Sequence, residues 1–418
     1  MAALKFLSFL ILLYCVYGSN LPGLQAVPGG GHQFSLPVSR KANANRDFAR
    51  DWIAGRQKWG SKPFDKASST FALGDSNGHV DVNPIGSDDI FIADVEIGNP
   101  PQLVKMALDT GSSDVWMQSS DTIYRVNQNG PWPLKYRPSD STSSRLLNST
   151  IWNVQYLDGT NAHGIVYEDT VRLAGFEVTN ATIESAQRVA SRFETEVQLS
   201  GIMGLAKSLP NNIMPPMPSF LQELKDHLKE PVFTVDLHRN STGRFDFGMI
   251  NQSLAMENIT WLDSDPSSPH WDVELDLTSW TGNGKTWWYY PFKATIDTGT
   301  TLMFMPDELA SMYWFDVPGV RTDGGIGGAF TFPCSGAKDL PDLMFKLPGS
   351  EHVLTIPGVY MNYGPVSPSS DYCWGGMQSA QGLDVTVLGD IMLKALFVAF
   401  DLDKNRVGFA NKHIAGIR

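Results

Sequence analysis

Two short stretches of this sequence could do acid–base chemistry together. "ALDTGSSDVWM" at 107–117 and "TIDTGTTLMFM" at 295–305 each place an aspartate after apolar residues and follow it with Thr-Gly and then a hydroxyl side chain. Asp is depleted in strands, and Thr-Gly-Ser stops an apolar run. A carboxylate at such a strand end is either a turn residue bonding its own backbone or an acid with chemical work. A single Asp-Thr-Gly is a weak signal, arising by chance in roughly one chain of this length in ten. Two copies in one chain point to the acid. Each is also followed by a similar later motif: Gly204 in "GIMGLA" lies 95 residues after Asp109, and Gly389 in "TVLGDI" lies 92 after Asp297. The near-match predicts two lobes of like construction.

If the lobes pack about a pseudo-twofold axis, the two Asp loops meet on it. Two carboxylates about 3 Å apart do not both ionise easily, so they share a proton and their pKa values split. The ionised member can take a proton from a water held between them while the protonated member donates to a peptide carbonyl oxygen. Protonation belongs to the pair, so neither Asp109 nor Asp297 is assigned as acid or base. Gly111 and Gly299 let the loops approach closely. Thr110 and Thr298 are placed to bond across the axis, and Ser112 and Thr300 to fix the outer carboxylate oxygens.

The elements that must position these loops read as mainly β. "IFIADVEIG", "GIVYEDTVRLAGFEV", "PVFTVDLH" and "ALFVAFDLDKNRVGFA" alternate or run apolar in short bursts between turns. "MPSFLQELKDHLKE" and "PDELASMYWF" are the best helical pieces of the body.

The N-terminus differs from the rest. An apolar run from Phe6 to about Tyr17 behind one Lys is short for a membrane span and reads as a secretory signal ending at Gly18. Residues 19–79 carry about +4, while the whole chain is −12, leaving a body near −17. A basic leader on an acidic body suggests a pro-segment held by charge and loosened by acid. Within the leader, only "RDFARDWIAGRQKWG" is expected to be ordered, as an amphipathic helix ending at Gly60. The "SSTFALGDSNG" beyond it reads as linker and cleavage zone. The acidic body argues against nucleic-acid binding, and no membrane association is expected of the mature form. Once Cys15 leaves with the signal, Cys334 and Cys373 form an even pair in a secreted chain, hence an expected disulfide. In the chain-entropy model its loop is worth on the order of 3–4 kcal/mol. Asn-X-Ser/Thr sequons stand at Asn148, Asn180, Asn240, Asn251 and Asn258.

From about residue 80 to 418 the chain resembles a pepsin-family aspartic protease, written as a preproenzyme. "IADVEIGNPPQ" resembles the strand before the family's first Asp loop, and "WNVQYLDGTNAHGIVYEDTV" its flap hairpin. "PCSGAKDLPDLMFKL" up to "DYCWGGM" resembles its disulfide loop, and "VLGDIMLKALFVAFDLDKNRVGFA" its closing strands. The lack of a cysteine pair after "DTGSSDVW" and the flap wording look fungal. The split pKa values of paired aspartates are known behaviour of that family, not something this sequence demonstrates.

The resemblance implies a bilobal β-fold with a cleft, divided as signal 1–18, propeptide 19–79, N-terminal lobe 80–258 and C-terminal lobe 259–418. It implies Asp109 and Asp297 as catalytic pair, Tyr156 as flap tyrosine, and Trp116 as its hydrogen-bond partner. Phe193, Leu199 and Ile202 match positions lining an apolar pocket on the amino side of the scissile bond. Lys58 resembles the pro-segment lysine that pairs with both aspartates. Its neighbour is Trp59 where tyrosine is usual, which puts that ring's blocking hydrogen bond in question. Ser200 stands where Asp is often found and Leu157 where Gly is usual. Both departures are expected near substrate.

The reading is therefore an acid endopeptidase made as a secreted or vacuolar zymogen. It would act on protein or peptide substrates, bind pepstatin-type inhibitors, use no metal or organic cofactor, and be monomeric. A serine hydrolase fails because "GDSNG" at 74–78 lacks the strand-then-helix setting of a nucleophile elbow. A zinc peptidase fails for want of His-Glu-X-X-His. A pepsin-like binding protein is the serious rival, and pepstatin sensitivity separates it.

Overall fold

The computed structural model describes residues 31–40, 47–60, 91–125, 132–155, 161–189, 191–194, 196–207, 212–239, 241–283 and 286–414. The expected signal, the 61–90 linker with its cleavage zone, Tyr156, Leu157 and Asn240 lie outside these residues.

The mainly β expectation holds. Strands join into sheets of fourteen, seven and four. In the largest sheet, strand Phe91–Ile97 pairs with Gln102–Asp109, which runs parallel to Gly201–Gly204 and ends on the first Asp. The other Asp follows strand Trp288–Ile296 of the seven-stranded sheet, which lies parallel to Thr386–Leu388. The two Asp loops thus come from two β-lobes, as a bilobal pepsin-like fold requires. Strands Leu396–Asp401 and Arg406–Asn411 return to the largest sheet beside Val232–Asp236 and tie the chain's end to its first half.

The repeat seen in the sequence is a repeat of structure. Leu108 pairs with Met203 as Ile296 pairs with Leu388. A Cβ on Gly204 would meet the Ser112 carbonyl oxygen at 2.5 Å, and one on Gly389 would meet that of Thr300 at 2.1 Å. In each lobe the later glycine is the only residue small enough to let the supporting strand touch the Asp loop.

The leader helix forms as expected, from Phe48 to Trp59. Asp47 caps it by accepting from Arg50 N at 3.0 Å, and Gly60 ends it. Its apolar side buries Phe48, Trp52 and Trp59 with Leu302, Phe304, Tyr363 and Trp374. A Cβ on Gly55 would stand 2.5 Å from the Phe304 ring, so this glycine lets the helix settle close.

The expectation that only this piece of the leader is ordered does not hold. Phe34–Arg40 is a strand inserted between Gly243–Phe247 and Phe91–Ile97. The reason is a period of two: Phe34, Leu36 and Val38 are buried while Pro37 and Ser39 are exposed. Cys334 and Cys373 form the expected disulfide.

Candidate active site

Each Asp loop fixes its own carboxylate by the same pair of donors. Gly111 N lies 2.9 Å from Asp109 Oδ1, and Gly299 N lies 2.9 Å from Asp297 Oδ1. The Ser112 hydroxyl donates to Asp109 Oδ2 at 2.6 Å, and the Thr300 hydroxyl donates to Asp297 Oδ2. Asp109 is 4% exposed and Asp297 fully buried.

The loops then hold one another. Thr110 N donates to Thr298 Oγ1 at 3.0 Å, and Thr298 N to Thr110 Oγ1 at 3.0 Å. The Thr110 hydroxyl donates to the Ile296 carbonyl at 2.8 Å and that of Thr298 to the Leu108 carbonyl at 2.7 Å. The closeness is reciprocal. A Cβ on Gly111 would lie 2.5 Å from Asp297 Oδ1, and one on Gly299 would lie 2.2 Å from Asp109 Oδ1. No side chain larger than hydrogen fits at either position.

Lys58 fills the space between the carboxylates. Its Nζ lies 2.6 Å from Asp109 Oδ1 and 3.1 and 3.0 Å from the two oxygens of Asp297. Burial alone would raise Asp109, but the Lys58 ammonium outweighs it and holds this carboxyl down at about 2. Asp297 is raised instead, first by burial and then by the Asp109 charge, which together outweigh Lys58. Burial would lower the ammonium, yet the two carboxylates hold it above its usual value. One cation thus sits on an unequal pair, with Asp109 the more acidic member.

Trp59 keeps the hydrogen bond that its replacement of tyrosine had put in question. Its indole N–H lies 3.2 Å from Asp297 Oδ2 and 3.2 Å from Thr300 Oγ1. The same ring system meets His270, with centroids 4.7 Å apart and planes at 73°. Further along the helix, Arg56 donates to the carbonyls of Gln381 at 2.7 Å and Ser379 at 3.0 Å. Tyr363 donates to Asp51 at 2.9 Å.

Trp116, Phe193, Leu199 and Ile202, named from the sequence, come together in one cluster. Trp116 meets Phe193 edge to face at 4.8 Å. Ser200 is buried, and its hydroxyl accepts from Lys105 N at 2.9 Å, bracing strand Gln102–Asp109. Among the sequons, Asn148, Asn180 and Asn258 are exposed, and Asn251 is half-buried.

Sequence reasoning passed over two features. His270 lies far from Trp59 in the chain and carried no motif. Glu184 and Asp114 form a buried acid pair, with Asp114 also accepting from Asn212 N and Nδ2, each at 2.6 Å. An acid at an inward position of an apolar strand was the available signal for Glu184. Among the described residues, no group of three or more His, Cys, Asp or Glu is arranged to hold a metal ion.

Comparison with known proteins adds to this geometry. The family profile described as eukaryotic aspartyl protease matches residues 90–412. Endothiapepsin of Cryphonectria parasitica is 37% identical over 354 residues, covering 82% of this chain and 81% of its own. Podosporapepsin of Podospora anserina is 37% identical, covering 79% of this chain and 76% of its own. Aspergillopepsin-1 of Aspergillus oryzae is 34% identical, covering 81% of each.

Proposed function

The chain belongs to the eukaryotic aspartyl protease family and is an aspartic endopeptidase, and from that premise we propose that Asp109 and Asp297 are its catalytic pair, blocked by Lys58 in a zymogen. The observation that carries this reading is the single ammonium bonded to both carboxylates. Once Lys58 leaves, a water takes its place between the two groups. One carboxylate accepts the water's proton as its oxygen attacks the peptide carbonyl carbon. The other, protonated, donates to the carbonyl oxygen. Collapse of the resulting tetrahedral carbon breaks the C–N bond, and the amine leaves with a proton. Ser112, Thr300 and the two glycine amides orient the carboxylates throughout.

The cluster of Trp116, Phe193, Leu199 and Ile202 supports a preference for large apolar side chains beside the cut, with Tyr156 closing over them. Substrate lies extended in the cleft between lobes of residues 80–258 and 259–418. The leader, residues 19–79, follows a signal at 1–18 and is cut between about 65 and 85. The enzyme is secreted or vacuolar, a monomer, glycosylated at some of its sequons, and inhibited by pepstatin.

The test is digestion of a denatured protein across pH 2 to 7 by wild type and Asp297→Asn, each with and without pepstatin. Acid activity abolished by both supports the reading. A folded, leader-free wild type that cuts nothing at any pH would move the binding-protein alternative to the front.

A further inference from the structure

We propose that His270 is a proton-operated wedge under the leader: mild acid charges its imidazole, and the charged ring pushes Trp59, and with it Lys58, off the two aspartates. The inference rests on the zymogen reading above and names how that state is released.

Three observations carry it. The His270 ring packs edge to face on Trp59, the residue whose N–H holds Asp297. Its Nδ1 is buried and has no hydrogen-bond partner among the described residues. A ring in that position is at ease only while neutral, because an imidazolium would bring a second N–H with nothing to receive it. Around it stand charges of both signs from every neighbouring segment. Lys58 comes from the leader, Asp109 from the first Asp loop, Lys207 from the segment after strand Gly201–Gly204, and Asp272 from the strand that begins two residues on. Asp265 lies nearby but is engaged by Lys293, and Lys207 donates to the Ser264 hydroxyl and the Asp265 carbonyl.

The balance among these favours the neutral ring. Burial comes first in lowering the His270 pKa below 6.5; Asp272 and Asp109 pull it up, and Lys58 and Lys207 push it down. The linkage sign follows. A base whose pKa is lowered in the latched state favours that state above its free value, near 6.5, and opposes it as pH falls below. Each departure of the leader lets His270 take up a proton. The attraction of an imidazolium for an indole face acts the other way, so the sign is open to direct measurement.

The experiment follows leader loss from the full chain after jumps to pH values between 7 and 3, by mass of the N-terminal fragment. Wild type is compared with His270→Phe and His270→Gln. In wild type the release rate should rise by up to about tenfold per pH unit as pH falls below about 6.5. In both variants that rise should be absent until the carboxylates begin to protonate, below about pH 4. Identical pH profiles for all three proteins, or earlier release in both variants, overturn the proposal. Peptidase activity at pH 3 after complete processing separates the two levels. Activity with unchanged profiles removes the wedge and leaves the zymogen. A wild type that processes and cuts nothing removes both.

Discussion

Thr110 and Thr298 each hold the other's loop: every hydroxyl donates to a carbonyl of the opposite lobe and accepts the opposite threonine's amide. These four bonds cross directly between the two loops. Replacing Thr110 with the isosteric Val removes two of them and leaves the Ile296 carbonyl and the Thr298 amide buried without partners. The expected cost is about 1–3 kcal/mol of stability, with a fall in kcat larger than any change in KM. Urea unfolding and steady-state kinetics measure the two parts, and a Val variant with wild-type values in both contradicts the account.

Lys58→Met should unlatch the leader. In wild type the Asp109 carboxyl is held at about 2 against 3.8 for a free aspartate. A carboxyl lowered in this way stabilises the latched state above about pH 4, and that contribution is lost as pH falls through about 2. Without the ammonium the full chain should bind a pepstatin-type inhibitor at about pH 7, where His270 is neutral and the wild type should stay latched. Equal binding by both would show that Lys58 is not the block.

Trp59→Phe keeps an aromatic ring at this position but removes the indole N–H together with part of the buried ring system. The lost bond is to a charged or proton-sharing group, worth about 1.5–3 kcal/mol. Leader release at a fixed mildly acid pH should quicken by at least tenfold. Release at the wild-type rate would mean that the N–H bond to Asp297 does not hold the latch.

Glu184 sets a separate pH limit. It is buried, and burial first, then the neighbouring Asp114 charge, raise its carboxyl well above 4.5. A carboxyl raised in the fold contributes stability that is fully present below about 4.5 and lost as pH rises through the folded value. Melting temperature should therefore drop between pH 4 and 7, and Glu184→Gln, which keeps a donor toward Asp114, should flatten the drop by a few degrees. Parallel curves for the two proteins would remove Glu184 as the cause.

The candidate site was legible because its parts lie next to one another in the chain. Asp, Thr, Gly and Ser or Thr follow in order, and a turn brings their donors onto the carboxylate without help from distant segments. The helix ending at Gly60 was legible for the same reason. The leader strand Phe34–Arg40 was not, although its alternation of Phe, Leu and Val is plain in hindsight. It sits in a basic, glycine-rich leader, and Pro37 argues against a strand flanked on both sides. Its exposed side tolerates the proline because the neighbours are bonded through other residues. His270 was beyond reach, since its meaning depends on a ring 211 positions away. The indole's hydrogen bond was missed because a rule about tyrosine was applied to a residue type, whereas the site asks only for a donor at the right distance.

The strand Phe34–Arg40 lies between two strands of the body rather than at an edge. If the leader is cut away as proposed, the finished enzyme has been assembled on a template that it then gives up. Its own sequence no longer contains everything used to build the largest sheet. Folding would be reversible only before the cut. Afterwards the protein would persist because unfolding is slow, and a molecule once unfolded would lack the part needed to find its way back.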